Sequence, residues 1–227
     1  FQSKMVLQRN KPIAIWGKGE AAATVNVTLA GQSVDTTVDA SGNWSLNIPS
    51  LAAGGPHSLV VSSQSETQTL SDVLIGDVWL AMGQSNMVRS LGEMQGKAAY
   101  LTKISDQNFP VRCLEVTREG AVTPQETGEM AWRDASNSSP NNWSAVGTVF
   151  AVEMYEATGV PTAFIWAAWG SAYIEGFMPL EMRDKFPHFD AEMNAFVANG
   201  HQQKVQDMLD GSIAYNEIYM RLRPNVI

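Results

Sequence analysis

Cysteine is almost missing from this chain. Cys113 is the single one among 227 residues, so no disulfide within the chain holds the fold. Its setting, Val111-Arg-Cys-Leu-Glu-Val116, predicts a buried strand thiol and argues against a reactive nucleophile. Long apolar runs are missing too. The longest, around Pro161 to Trp169, reaches about half of the roughly 20 residues that a membrane-spanning helix needs. No basic-then-apolar leader opens the sequence; it starts mid-motif at Phe1, and removal of a natural start is expected. Basic charge is outnumbered, with 15 Lys and Arg against 23 Asp and Glu and a net charge of -8. That excludes the basic surface by which proteins hold nucleic acid or anionic membrane. No cysteine pair or histidine spacing suits zinc or a di-iron centre, and no glycine-rich phosphate loop occurs. Neither metal nor cofactor is expected, and neither nucleic acid nor membrane is an expected partner.

What is present is ample core material. The chain is 44% hydrophobic and 17% charged, a balance that excludes disorder and leaves room for one large domain or two small ones. Two textures divide it. Up to about Ser71, short alternating segments are separated by turn signals. Val25, Val27 and Leu29 share one face, Ala30-Gly31-Gln32 turns the chain, and residues 33 to 39 return. Ser41-Gly42 turns again, and Trp44, Leu46 and Ile48 share the next face. Gly54-Gly55-Pro56 leads into a further strand, His57 to Val61. This period-two pattern predicts a small antiparallel β-sandwich over residues 1–71.

From Asp72 the pattern changes to strands alternating with helices. Strands are expected at Val73 to Met82, Val111 to Val116 and Thr162 to Trp169. Helices are expected at Val146 to Thr158, stopped by Gly159 and Pro161, and from Gln203 to about Arg223. Arg118 to Asn142, polar and rich in Pro, Ser and Asn, reads as a long surface loop. The alternation predicts an α/β unit over 72–227, a parallel sheet with helices on both faces.

The most informative stretch is Asp77-Val-Trp-Leu-Ala-Met-Gly-Gln-Ser-Asn-Met87. An apolar strand breaks at Gly83 into Gln84-Ser85-Asn86, which lifts Ser85 above the carboxyl edge of the sheet. The nucleophile elbow Gly-x-Ser-x-Gly is not met, because Met stands at 87. A serine hydroxyl attacks an ester only with a base in hydrogen-bond reach, an orienting acid behind it and amide donors for the oxyanion.

The Gly83-Gln-Ser-Asn-Met87 block resembles that of the SGNH-type carbohydrate esterases, and more narrowly the sialate O-acetylesterase family and related acetylxylan esterases. Phe1 with Met5-Val-Leu-Gln-Arg9 and Pro12-Ile-Ala-Ile-Trp-Gly17 is similar to the family's amino-terminal block. Ser144 to Phe150, Val160 to Ser171 and Glu175 are similar to its second block. The resemblance runs from residue 1 to about 180 and implies the front part of an SGNH-hydrolase-like α/β domain. It implies Ser85 as the catalytic nucleophile, the amides of Ser85 and Gly170 as the oxyanion hole, an acetylated sugar as substrate, and a secreted or periplasmic protein. The net charge gives no long-range attraction to an acidic sugar. Ser171 and Ala172 stand where the family carries glycine and threonine, and Val88-Arg89 where an acidic residue and Trp often follow the Met.

Other positions carry two readings each. Gln84 and Asn86 shape the nucleophile loop or merely satisfy turn backbone. Arg89 contacts a sugar carboxylate or lies on a solvated face. Trp166 and Trp169 wall a sugar site or belong to the core. Glu175 lies near the site or starts a helix. The family's asparagine-bearing block and its Asp-x-x-His do not occur here. His57 falls in the sandwich, His201 has Ala198 three residues before it, and His188, flanked by Asp184 and Asp190, is the one in-chain dyad. The expectation is a longer enzyme whose His/Asp pair lies in a remaining C-terminal part. The alternative is a non-catalytic carbohydrate-binding or scaffold protein with a degenerate esterase fold.

Overall fold

The computed structural model describes residues 1–64, 66–105, 109–118, 128–172, 174–177 and 185–212. Its strands are β1 (Val6–Gln8), β2 (Ile13–Lys18), β3 (Thr24–Leu29), β4 (Gln32–Thr37), β5 (Asn43–Ile48), β6 (Gly54–Ser62) and β7 (Thr67–Gly83). Helices α1 (Ser85–Val88) and α2 (Lys97–Ile104) follow, then β8 (Val111–Val116), β9 (Met130–Arg133), α3 (Ala145–Thr158), β10 (Thr162–Ala168), α4 (Pro187–Ala198) and α5 (His201–Leu209). Among the described residues no helix is long and apolar enough to cross a membrane.

The alternation in the first third folds as its pattern dictates. Val25, Val27, Leu29, Trp44, Leu46 and Ile48 are all buried, and their strand neighbours are exposed or half-buried. The β3–β4 turn places Ala30 and Gly31 at φ 50° and 79°, the left-handed pair that suits the twist of a two-residue hairpin. β4, β3, β6 and the first half of β7 make one antiparallel layer, and β2 pairs with β5 in a second. Ile15, Val27, Leu29, Ile48, Leu59 and Ile75 are essentially sealed from water between them. Each such side chain contributes roughly 1.5–3 kcal/mol through burial.

β7 carries the chain from one half of the molecule to the other. Residues 67–75 pair with β6, and residues 77–83 run parallel to β10. The strand therefore starts six residues before the expected Val73, and residue 71 lies within it. Both halves consequently belong to one sheet, ordered β4-β3-β6-β7-β10-β8-β9, with β1 parallel to Leu74–Gly76. Gly76 sits at the crossover, where a Cβ would collide with the Pro161 carbonyl. Only a residue without a side chain lets β7 pass there. Charge pairs fasten the same junction. Arg9 grips Asp77 through two bonds of 2.9 and 3.0 Å. Lys4 reaches Asp134 at 2.6 Å and Asp72 at 3.7 Å, and buried Arg112 reaches Asp72 at 3.3 Å.

In the second half β7, β10 and β8 are parallel, as the strand–helix alternation predicts. Helices α1, α2 and α3 pack over one face through Met87, Val88, Ile104, Ala151 and Val152 against Ala81, Val111, Phe164 and Trp166. Gly147 lets α3 sit directly on the Phe164 ring, where an added Cβ would come within 2.6 Å. Cys113 is fully buried on β8, and burial pushes its thiol pKa well up.

Two expectations change. The region 118–142 is not wholly loop: β9 pairs antiparallel with the free side of β8, and Arg133 meets Glu115 across the ladder at 3.1 Å. The helix expected from Gln203 to Arg223 runs instead over His201–Leu209. It closes at Gly211, whose φ of 73° suits a glycine just past a helix end. The remainder of that expected helix, 213–223, lies outside the described residues.

Candidate active site

The carboxyl ends of β7 and β10 lie side by side because the two strands run in exact register from Asp77↔Thr162 to Gly83↔Ala168. Past this last pair, the Trp169 amide donates to the Gly83 carbonyl at 2.9 Å. Both chains then leave the sheet. On the β7 side Gly83 takes φ 145°, a backbone conformation that L side chains rarely adopt, and the chain enters α1 at Ser85 after a single residue. Ser85 is exposed, with Gln84 and Asn86 exposed on either side. On the β10 side Gly170 follows two residues after the strand, with open space where a side chain would be.

Ser171 is held at φ 63°, in the left-handed region that costs a residue with a Cβ about 1–2 kcal/mol.

The turn is braced from behind. Met87 and Val88 close α1 through amides donating to the Gln84 carbonyl, and the Arg89 amide donates to the Ser85 carbonyl. Ser144, fully buried, caps α3 by accepting from the Gly147 amide at 3.2 Å, and its Oγ lies 3.5 Å from the Met87 sulfur. The Trp166 indole donates to the Met87 carbonyl at 3.0 Å. Trp166 is buried under α1, where its ring supports the Gly83–Ser85 turn from below, and it also lines a cavity at this rim.

Sequence reasoning passed over two contributors. Ser144 was legible as the Ser-before-helix pattern of an N-cap. Arg118 marks only the start of the expected loop in the sequence. It lies just past β8, its Nε donates to the Ala168 carbonyl at 3.2 Å, and its guanidinium stands 6.0 Å from the Trp166 ring centroid. With Glu115, Thr117 and Ala168 it lines a cavity of about 330 Å³ at the same rim. Position at the end of a parallel strand was the usable signal.

The remaining candidates are spread out. Arg89 is exposed and serves α1 through its backbone. Trp169 is half-buried beside Gly83. Glu175 lies in a short 3₁₀ turn, Ile174–Phe177, and its side chain is outside the described set. His57 sits on β6, half-buried, in the other half of the molecule. His188 lies in the first turn of α4 with Asp190; its side chain, and all of Asp184, are outside the described residues. Among the described residues none is hydrogen-bonded to the Ser85 hydroxyl.

A parallel sheet carrying a strand–Gly–x–Ser turn, extended by an antiparallel sandwich, is the mixed α/β fold of a carbohydrate esterase. A carbohydrate acetylesterase from Xanthomonas citri superimposes with a TM-score of 0.73 at 33% identity, over 78% of this chain and 41% of that one. In sequence, the chain is 31% identical over 195 residues to the sialate O-acetylesterase of Rattus norvegicus, 75% of this chain and 35% of the rat protein. It is 32% identical over 198 residues to the Homo sapiens sialate O-acetylesterase, 78% of this chain and 37% of that protein. No family model matches. The chain is a homologue of the sialate O-acetylesterases, and it spans little more than a third of the length of the curated relatives it matches.

Proposed function

We propose that this chain carries the nucleophile of a serine esterase that removes O-acetyl groups from carbohydrate, sialic acid or hemicellulose sugars. The observation that carries the reading is the exposed Ser85 at the carboxyl rim, reached through a glycine-only turn beside the strand that leads to Gly170. Ser85 Oγ attacks the acetyl carbonyl carbon and loses its proton to a base. The oxyanion accepts from the backbone amides of Ser85 and Gly170, each such donor being worth roughly 10²–10³ in rate. The carbon–oxygen bond to the sugar then breaks, and the sugar hydroxyl leaves with a proton. Water hydrolyses the acetyl-serine, releasing acetate and restoring the hydroxyl.

The base and its orienting acid belong, in this reading, to a His/Asp pair in a C-terminal part of the enzyme outside residues 1–227. Gln84 and Asn86 shape the turn, and Arg89, Trp169 and Glu175 border the sugar. A secreted or periplasmic location accompanies the activity. The rival is a non-catalytic carbohydrate-binding or scaffold protein with a degenerate esterase fold. A chromogenic acetyl ester separates the two: turnover by the full-length protein that disappears in Ser85→Ala supports the esterase. Sugar binding without turnover supports the rival.

A further inference from the structure

The sandwich has a second concavity, remote in the chain from Ser85. Its two-stranded layer, β2 and β5, lies over a wider four-stranded one, so Val61 and Leu70 at one margin of the inner face stay half-buried. β2 has no strand partner on its other side among the described residues. The resulting groove holds about 560 Å³ between the β2 edge and the β6–β7 hairpin.

Its composition is uneven in a telling way. One wall is aromatic. Trp16 is 61% exposed and Phe1 48% exposed, and their rings meet edge to face with centroids 4.7 Å apart. Behind them Trp44, buried in the sandwich core, donates its indole N–H to the Lys18 carbonyl at 3.3 Å and backs the wall. Gly17 keeps the β2 backbone against that ring, since a Cβ there would lie 2.7 Å from it. The opposite rim is polar, with the amides of Gln64 and Gln68, the hydroxyl of Ser63 and the carboxylate of Glu66, while Lys18 and Glu20 line the groove on the β2 side.

We infer that this groove binds a neutral oligosaccharide, with Trp16 as the stacking platform. A pyranose ring has an apolar face of C–H groups and an edge of hydroxyls that both donate and accept. An exposed indole suits the first, and side-chain amides suit the second because each both donates and accepts. The one lysine is outnumbered by two carboxylates, which disfavours an acidic sugar or a phosphate. An extended peptide added to the β2 edge needs alternating apolar pockets, and the amide-lined rim does not provide them. The inference does not depend on Ser85 or on any ester chemistry.

Affinity electrophoresis of the full-length protein through gels containing deacetylated xylan, a soluble β-glucan or polygalacturonate tests it. Retardation by a neutral polymer is expected, weakened about tenfold in Trp16→Ala, in line with the loss of one stacked ring, and weakened also in Gln64→Ala with Gln68→Ala. Ser85→Ala keeps full retardation, so failure of the esterase reading leaves this result untouched. All four side chains are on the surface, and a thermal melt checks that the variants fold. No retardation by either neutral polymer, retardation unchanged in Trp16→Ala, retardation by polygalacturonate alone, or an extended peptide binding at Trp16 in place of the sugar would each overturn it.

Discussion

The two halves of this molecule bury their apolar residues in different ways. The sandwich closes on itself: its inner faces meet, and polar neighbours alternate outward along β3 and β5. The parallel half is covered by α1–α3 on one face, while along β7 Trp79 and Leu80 remain 43% and 50% exposed. Trp79 stands edge to face with Phe150 of α3 at 5.1 Å, and Phe150 and Val146 are themselves exposed. The sandwich is therefore organised around a core of its own, with the groove beside β2 at its margin. The parallel half is organised around a rim, where a strand ends in a glycine at positive φ and a hydroxyl faces solvent. β7 belongs to both, so each half fixes the other's geometry.

Replacing the rim hydroxyl gives the largest expected effect. On the esterase reading, Ser85→Ala should lower acetyl ester turnover of the full-length protein by about 10⁴-fold or more with an unchanged melting curve; retained turnover would remove the functional contrast between the halves. Next comes the shared strand. Gly76→Ala forces a side chain against the Pro161 carbonyl and should cost about 3 kcal/mol in denaturant unfolding. A loss confined to one of two separable transitions would show that β7 does not couple the halves.

The charge cluster at the junction ranks third. Burial raises the Asp134 carboxyl pKa, but the Lys4 ammonium and the Ser136 hydroxyl more than offset this and hold it below the usual carboxylate range. A depressed carboxylate stabilises fully above its unfolded pKa, about 4, and loses that contribution as pH falls through the folded value. Asp134→Asn should cost about 1–3 kcal/mol near neutral pH, at the lower end because Lys4 is partly exposed. The gap to wild type should narrow below about pH 4; a gap that widens there would place the coupling elsewhere. The smallest effect is at the rim backbone. Ser171→Gly relieves a left-handed conformation and adds unfolded-state freedom, for a net gain of at most about 1 kcal/mol by thermal melt. A loss would mean that the serine side chain holds the turn.

Much of this was legible beforehand where a pattern is local. Val25, Val27 and Leu29 announce a one-sided strand because the side-chain period of a strand is two. Val111–Val116 and the α3 helix are placed within a residue of expectation. β9 was not legible, because Met130–Arg133 is too short and mixed to signal a strand. It forms because β8 offers an unpaired edge and Glu115 a partner for Arg133. The helix stop at Gly211 was available and was passed over, because apolar spacing beyond it continued the helical period.

The chain by itself determined the strongly patterned strands such as β3, β5, β8 and β10, where glycine had to stand, and that a serine would follow a strand at Gly83. These depend on neighbours in sequence and on steric limits of the backbone. Only the tertiary structure decided that β7 would serve two layers, that Trp166 would support the turn from below, and that Gly83 and Ala168 would end level. Such facts depend on register between segments about 85 residues apart, which no local pattern encodes.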